Sequence, residues 1–564
     1  MTTQTTDSVR NSTLVAAGIF LSRISGLIRT SLLAAVLGTS AAATAFTTAI
    51  RIPNVLQNLL GEGVLSASFI PVYAKQVQAD TRNNTEEAGQ TAGVVAGLLL
   101  VLTSLLVLVG VAGARPITRA IAWGLKGDTF ELAVTLTRIT FAGVGLLVLS
   151  AWCLGILNTH DRFFLSYTAP VMWNAAQIAV LAFVALRSWG QADAAEAVAW
   201  AVFVGSALQL LIQLPAVFSV ARGLNISLDT TRAGVGEIWR RFVPAVLGRG
   251  VVQLSAFLDL ALASLLHVSA IAALYYAQTL YILPISVFAM SVAAAELPVM
   301  SRLGHDPPTI LFRVERGFGR IGFYICFVAV AYLTAGALIA NGLFATIGDL
   351  LGRDAFGDDQ AVQVGLILGA YSLGLPALAA SRLLQNALYA QGDTRGPAII
   401  AVQRVIVATA VGVVLMFQLD RLLVVDGLVS GWDDVPWPRL LEPIEASFRV
   451  NDDLPLRMGA VGLALGSAVG AWIELSLLRR LLAQNLGRHV HLMRPFRALV
   501  VPSIAAAVIM LGLHLADLSI LPAPIEAMVV LVAGGAVYVF LALAWGVEEA
   551  RRLVKVARNV FGSN

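Results

Sequence analysis

Fourteen apolar runs, each long enough to cross a bilayer, follow one another along this chain of 564 residues with short polar breaks between them. They fall near residues 14–37, 44–74, 89–113, 130–157, 164–186, 195–220, 242–266, 270–300, 318–343, 361–390, 397–418, 458–482, 498–516 and 524–547. Lipid offers the backbone no hydrogen-bonding partner, so each run is committed to a helix. Charged residues are only 13% of the chain and hydrophobic ones 58%, whereas a soluble domain carries about 25% charged residues. The expected class is an all-α polytopic membrane protein with about 14 transmembrane helices.

An even number of spans puts both termini on one side. The loops on that side hold Arg222, Arg232, Arg240 and Arg241, then Arg302, Arg313, Arg316 and Arg320, then Arg479, Arg480, Arg488, Arg494 and Arg497. The tail adds Arg551, Arg552, Lys555 and Arg558, and the alternate loops are poorer in basic residues. The positive-inside rule therefore predicts cytoplasmic termini in a multi-pass cytoplasmic-membrane protein. The net charge of +4 reports topology and not nucleic-acid binding. Cys153 and Cys326 lie far apart in apolar runs and suggest neither a disulfide nor a metal site. Met1 to Thr13 is polar, and no cleaved signal peptide is expected.

Charge inside the runs is the exception that points to function. Ser22 to Pro71 places Arg23, Arg29, Arg51 and Glu62 within spanning segments, where a charge near the bilayer centre costs roughly 2.5 to 3.5 kcal/mol. Arg23 and Arg29 flank Gly26 and stand about 120° apart around a helix, so both can face a wide cavity but not one narrow point. Arg51, Asn54, Asn58 and Glu62 recur at helical spacing and form one polar stripe on a helix walled by Ile52, Leu56, Leu59 and Leu60. Pro53, Gly61 and Gly63 are expected bending points. The alternative is that the arginines snorkel to the headgroups and the stripe glues helices together. Arg29 suits snorkelling poorly, because about 15 Å of helix separates it from the end of its run at Gly38. The favoured reading is a hydrated cavity that receives an anion.

The stretch from Asp420 to Arg457 is the longest outside the runs, carries acidic residues with Trp432 and Trp437, and by parity is an outer, solvated loop. No P-loop, HExxH, GxSxG or strand-borne GxGxxG occurs, which argues against an ATP-driven pump or an enzyme. Gly93 with Gly97, Gly365 with Gly369, and Gly462, Gly466 and Gly470 have the spacing of closely packed helices.

These residues also carry a resemblance. Ser22-Arg23-Ile24-Ser25-Gly26 with Arg29, Arg51-Ile52-Pro53-Asn54, Gly61-Glu62-Gly63 and Phe69-Ile70-Pro71-Val72 are similar to the opening of the MurJ/MviN family of lipid II flippases. Phe242-Val243-Pro244-Ala245 with Gln253 and Asp259, Leu274-Tyr275-Tyr276-Ala277, Gly374-Leu375-Pro376 and Ala387-Leu388-Tyr389-Ala390 before Gly392-Asp393-Thr394 extend the likeness in order. The chain departs from the family at charged places, with Thr30 and Thr44 where acids usually stand, Gln57 and Asn58 where a base does, and Gln278 and Thr279 in place of Asp-Arg.

The resemblance implies two pseudo-symmetric bundles of the multidrug/oligosaccharidyl-lipid/polysaccharide exporter superfamily around a central cationic cavity. Residues 1–222 would form the N-terminal bundle, 223–396 the start of the second, and 397–564 its remainder, with an outer loop near 420–457. It further implies that lipid II, an undecaprenyl-pyrophosphate-linked saccharide, is moved from the inner to the outer leaflet by alternating access. Arg23, Arg29 and Arg51 would bind pyrophosphate, Asn54 and Asn58 would hydrogen-bond sugar or peptide, and Glu62 would pair with Arg51 or change protonation. A cation-coupled exporter of a drug or another lipid-linked glycan is the alternative on this fold. The partners implied are the lipid substrate, the bilayer and cell-wall synthesis proteins; no nucleic acid and no cofactor is expected.

Asp259 falls deep in the seventh run, among Phe257, Leu258, Leu260 and Leu262. A carboxylate there needs a proton, a metal cation or an arginine such as Arg249 or Arg404. The functional reading is a coupling site for sodium or a proton whose occupancy biases two conformations.

Overall fold

Over their described residues, the apolar runs long enough to span are mainly helical. The computed structural model describes residues 2–83, 86–302, 306–434, 441–487, 493–516 and 520–561. Within these elements the side chains of 2–16, 62, 81–83, 247–252, 254–256, 434, 493–495, 556–557 and 560–561 lie outside the described set. Among the described residues, eleven helices are long and apolar enough to cross a membrane, and two bent pairs raise this to thirteen if each is one span. The expected run 242–266 is not among the thirteen; it falls on a continuous helix, Val235–Ala263, only part of which is described to the side chains. The chain divides into two units, Met1–Val268 and Ser269–Asn564.

The first unit holds α1 (Thr2–Leu37), α2 (Ala41–Leu60), α3 (Glu62–Ser68), α4 (Ile70–Asn83), α5 (Glu87–Ala112), α6 (Ala114–Ile121), α7 (Gly127–Ala142), α8 (Val144–Thr159), α9 (Phe163–Arg187), α10 (Gln191–Leu211), α11 (Leu214–Val220) and α12 (Val235–Ala263). Gly38, with φ 57°, ends α1, and the Ser40 hydroxyl caps α2 by accepting from the Ala43 N–H at 3.3 Å. Pro53 stays inside α2, whereas the helix breaks at Gly61, whose N–H returns to the Gln57 carbonyl at 2.8 Å. A bend of 42° follows between Ser68 and Ile70. The core gathers Phe69, Tyr73, Trp152 and Ile156.

Helix α12, expected to open the second bundle, packs instead on α3, α2 and α6 of the first. The connection before it explains this. Residues 222–228 run along α5 after a turn at Gly223, and a Cβ at Gly89, Gly93 or Gly97 would strike the carbonyl oxygens of Arg222, Asn225 or Ser227. The Gly93 and Gly97 spacing thus admits a chain segment, not a second helix. Further on, the Ala233 carbonyl accepts from Gln76 Nε2 of α4 at 2.9 Å and Thr91 Oγ1 of α5 at 3.1 Å, and Gly234 turns into α12 with φ 87°.

The second unit holds α13 (Ala270–Pro284), α14 (Met290–Arg302), α15 (Pro307–Ala340), α16 (Thr346–Leu351), α17 (Asp358–Ser372), α18 (Leu375–Ala390), α19 (Arg395–Leu419), α20 (Ala446–Arg449), α21 (Gly459–Leu486), α22 (Met493–Leu515), α23 (Ala523–Ala544) and α24 (Glu548–Phe561). Single wide turns at Ile285–Ala289 and Asn341–Ala345 join α13 to α14 and α15 to α16. Here the glycine spacing does mean helix on helix: a Cβ at Gly466 would sit 2.5 Å from the Ala408 carbonyl oxygen, so α21 lies against α19 at backbone distance. Phe323, Met510 and Tyr538 centre another core, with the Tyr538 hydroxyl donating to the Phe323 carbonyl at 2.7 Å.

The acidic loop is not wholly irregular. Strands β1 (Leu423–Val425), β2 (Leu428–Ser430) and β3 (Leu456–Arg457) pair antiparallel in the order β2-β1-β3, with Val425 opposite Leu428 across Asp426 and Gly427. Arg457 Nη1 donates to the Asp420 carbonyl at 2.9 Å, tying the sheet to the end of α19. Arg449 is buried; burial lowers its affinity for the proton, and the Asp420 charge works the other way.

Candidate functional site

The Ser25 hydroxyl and the Ser22 carbonyl of the Ser22 to Gly26 motif tie α1 to α9 beside Arg29. Ser22, Ser25, Gly26 and Arg29 share one face of α1 by their spacing, and α9 lies against it. Asn174 Nδ2 of α9 donates to Ser25 Oγ at 2.9 Å and to the Ser22 carbonyl at 3.3 Å. Arg29 follows on the same face, half-buried, with its guanidinium carbon 4.9 Å from the centre of the Trp173 ring and Nη2 donating to Thr30 Oγ1 at 3.3 Å. Such a cation–π contact is worth about 0.5 to 2 kcal/mol. Arg23, about 120° away around the helix, is exposed.

On α2 the polar stripe faces outward from the packed side. Ile52, Pro53 and Val55 are buried, Arg51 and Asn54 are half-buried, and Asn58 is exposed. The side chain of Glu62 lies outside the described residues; its backbone begins α3, after the break at Gly61. Asp259 is close to the C-terminal end of α12 and exposed, shallower in its helix than the run 242–266 implies. Arg249, one partner weighed for it, lies outside the described side chains.

Places where the resemblance implies charge hold neutral groups with hydrogen-bond partners in the protein. Thr30 Oγ1 donates to the Gly26 carbonyl at 3.0 Å, Thr44 Oγ1 to the Val268 carbonyl, and Thr279 Oγ1 to the Tyr275 carbonyl at 2.9 Å. Gln278 Nε2 donates to the Tyr371 hydroxyl at 3.0 Å. These substitutions remove charge without leaving a buried hydroxyl or amide donor unsatisfied.

Two charged features escaped the sequence reading. Arg138 is exposed within the span Gly127–Thr159. In the second unit, Arg404, the other partner weighed for Asp259, pairs with Glu474 of α21, Nη1 to Oε2 at 3.3 Å. Gln385 Nε2 of α18 donates to Glu474 Oε1 at 2.8 Å, and Arg382 Nη1 donates to Gln385 Oε1 at 3.2 Å. Glu474 is 1% exposed, so its carboxyl group faces these side chains and not water. Among the described residues, no group of three or more His, Cys, Asp or Glu side chains is arranged to hold a metal ion. The arrangement suits binding and release of an anion; no nucleophile and base are set up for covalent chemistry among the residues named here.

A family model described as lipid II flippase MurJ matches residues 33–425. Curated relatives include the lipid II flippase MurJ of Burkholderia cenocepacia, 32% identical over 416 residues that cover 72% of this chain and 76% of the relative. The probable lipid II flippase MurJ of Bdellovibrio bacteriovorus is 30% identical over 506 residues, covering 88% and 93%. Among solved structures, a lipid II flippase MurJ in an inward closed conformation matches with a TM-score of 0.71 at 20% identity, covering 96% of this chain and 99% of that one. An inward-facing MATE family multidrug transporter of the MOP superfamily matches with a TM-score of 0.61 at 15% identity, covering 82% and 94%. At these identities the structural likeness is one of fold.

Proposed function

The chain belongs to the MurJ family of lipid II flippases, and from that premise we propose that it carries lipid II from the inner to the outer leaflet by alternating access, as a transporter and not an enzyme. It is a multi-pass protein of the inner membrane. The observation that carries the reading is the set of arginines inside the first two spans, held on α1 and α2 of one unit. The headgroup of lipid II is large, polar and anionic, so it needs a wet cationic route, while its polyprenyl tail stays in lipid.

In this reading Arg23, Arg29 and Arg51 take the pyrophosphate, each guanidinium offering a planar fork to phosphate oxygens. Asn54 and Asn58, next along the same stripe, hydrogen-bond sugar or peptide. Glu62 balances Arg51 between substrate loads, by pairing or by taking a proton. Asp259 binds the coupling cation, sodium or a proton, and the two conformations must differ in affinity for it. With Thr279 in place of the family's arginine, the phosphate load falls on the three arginines of the first unit.

The test is replacement of a depleted lipid II flippase by this chain in a living cell. Growth and restored appearance of lipid II on the outer face are expected; lysis with the protein present in the membrane would refute the reading. Both termini are assigned to the cytoplasm. Cysteines at Asp433 and Glu445 are then expected to react with an impermeant thiol reagent from outside intact spheroplasts, and one at Thr231 only after lysis. The reverse pattern would invert the orientation.

A further inference from the structure

Helix α24 has no part in the transport reading, and its sequence is unlike the spans before it. At 100° per residue, positions Ala550, Leu553, Val554, Ala557, Val560 and Phe561 fall within an arc of roughly 120°, and Arg551, Lys555 and Arg558 lie on the other side of the helix. Trp545, Gly546 and Val547 alone join it to α23, with Gly546 at φ 73° turning the chain. Three residues reach about 10 Å, so α24 begins within the headgroup layer that receives the end of the last span.

Its first turn is anchored to the second unit. Ala550 is fully buried in the core of Phe323, Tyr538 and Ala542. Glu548 pairs with Arg552 and lies 3.9 Å from Arg316 of α15, and these charges, with Arg320, hold its carboxyl below the usual carboxylate range, the bond from Arg552 first. The helix's acidic end is therefore matched within the protein. Arg551, Lys555 and Arg558 are exposed, and beyond the anchored turn Leu553 is 37% exposed on the apolar side.

We propose that α24 lies in the bilayer interface as a binding surface for anionic phospholipid headgroups, with its apolar stripe among acyl chains and Arg551, Lys555 and Arg558 on lipid phosphates. Continuity with a span fixes the helix at the surface, and a basic face opposite an apolar one matches an anionic leaflet. A protein partner would have to bring both an acidic and an apolar face to the same place.

The test uses the full chain carrying Leu553→Cys with Cys153→Ala and Cys326→Ala, labelled with an environment-sensitive fluorophore, in phosphatidylcholine vesicles with and without phosphatidylglycerol. The probe is expected to be quenched by brominated acyl chains and not by aqueous acrylamide. Native mass spectrometry is expected to show retained phosphatidylglycerol. Arg551→Glu with Lys555→Glu and Arg558→Glu is expected to weaken that retention roughly a hundredfold, at about fivefold for each basic residue near an anionic surface. Acrylamide quenching, or phosphatidylglycerol retention unchanged by the charge reversal, would overturn the proposal. So would a probe shielded from both quenchers, which would mean that a second copy or another protein covers the stripe. None of these readouts involves flipping, so their failure leaves the transport reading untouched.

Discussion

Arg29→Ala is expected to abolish lipid II flipping while the protein stays inserted at normal levels, and Arg23→Ala to do the same. The α1–α9 contact beside Arg29 is also held by Asn174 bonding to Ser25 and to the Ser22 carbonyl, so the packing does not rest on the guanidinium alone. What it supplies is a charge-assisted contact worth about 1.5 to 3 kcal/mol, which is roughly a ten- to hundredfold loss of headgroup binding for each arginine removed. Arg29→Lys should recover only part, because an ammonium has neither the planar fork nor the same stacking on Trp173. The measurement is flipping rate at matched membrane abundance. Wild-type rates in both alanine variants would remove the cationic route from the mechanism.

Glu474→Leu is expected to cost the second unit about 3 to 5 kcal/mol, because it leaves Arg404 facing a buried site with no carboxylate and strips Gln385 of its acceptor. Arg404→Leu combined with Glu474→Leu should recover much of that loss, since replacing both partners of a buried pair by apolar groups is often close to neutral. Thermal unfolding of the purified protein distinguishes the cases. Equal stability of the single and double variants would show that the pair does not couple, and no loss in either would mean that the charge of Glu474 is idle in the fold.

That pair also shows where reading the sequence stops. Spans were legible because run length and hydrophobicity are local properties, and the break at Gly61 was legible because Gly61 and Gly63 together weaken the helix at one place. Arg382, Arg404 and Glu474 sit one to a run in three runs, and nothing local says which of them meet. The Gly93 and Gly97 spacing predicted close approach correctly but not the partner, since an extended chain fits a small-residue groove as well as a helix does. The strands of the acidic loop were marked by Asp426-Gly427 between two short apolar runs, a hairpin signal overshadowed by the acidic residues around it. Of the expected stripe, Arg51, Asn54 and Asn58 stay on the less buried face of α2, while Glu62 falls beyond the break at Gly61, in α3.

The connection from α11 to α12 has a mechanical meaning. A loop that threads three glycines of α5 and then offers one carbonyl to both α4 and α5 has little slack, so the start of α12 is riveted where a flexible linker would let it swing. Any bending of α12 must then be taken up along its own length, where Pro244 withholds one rung of the helical ladder, and the joint that looks like a linker in sequence behaves as a weld.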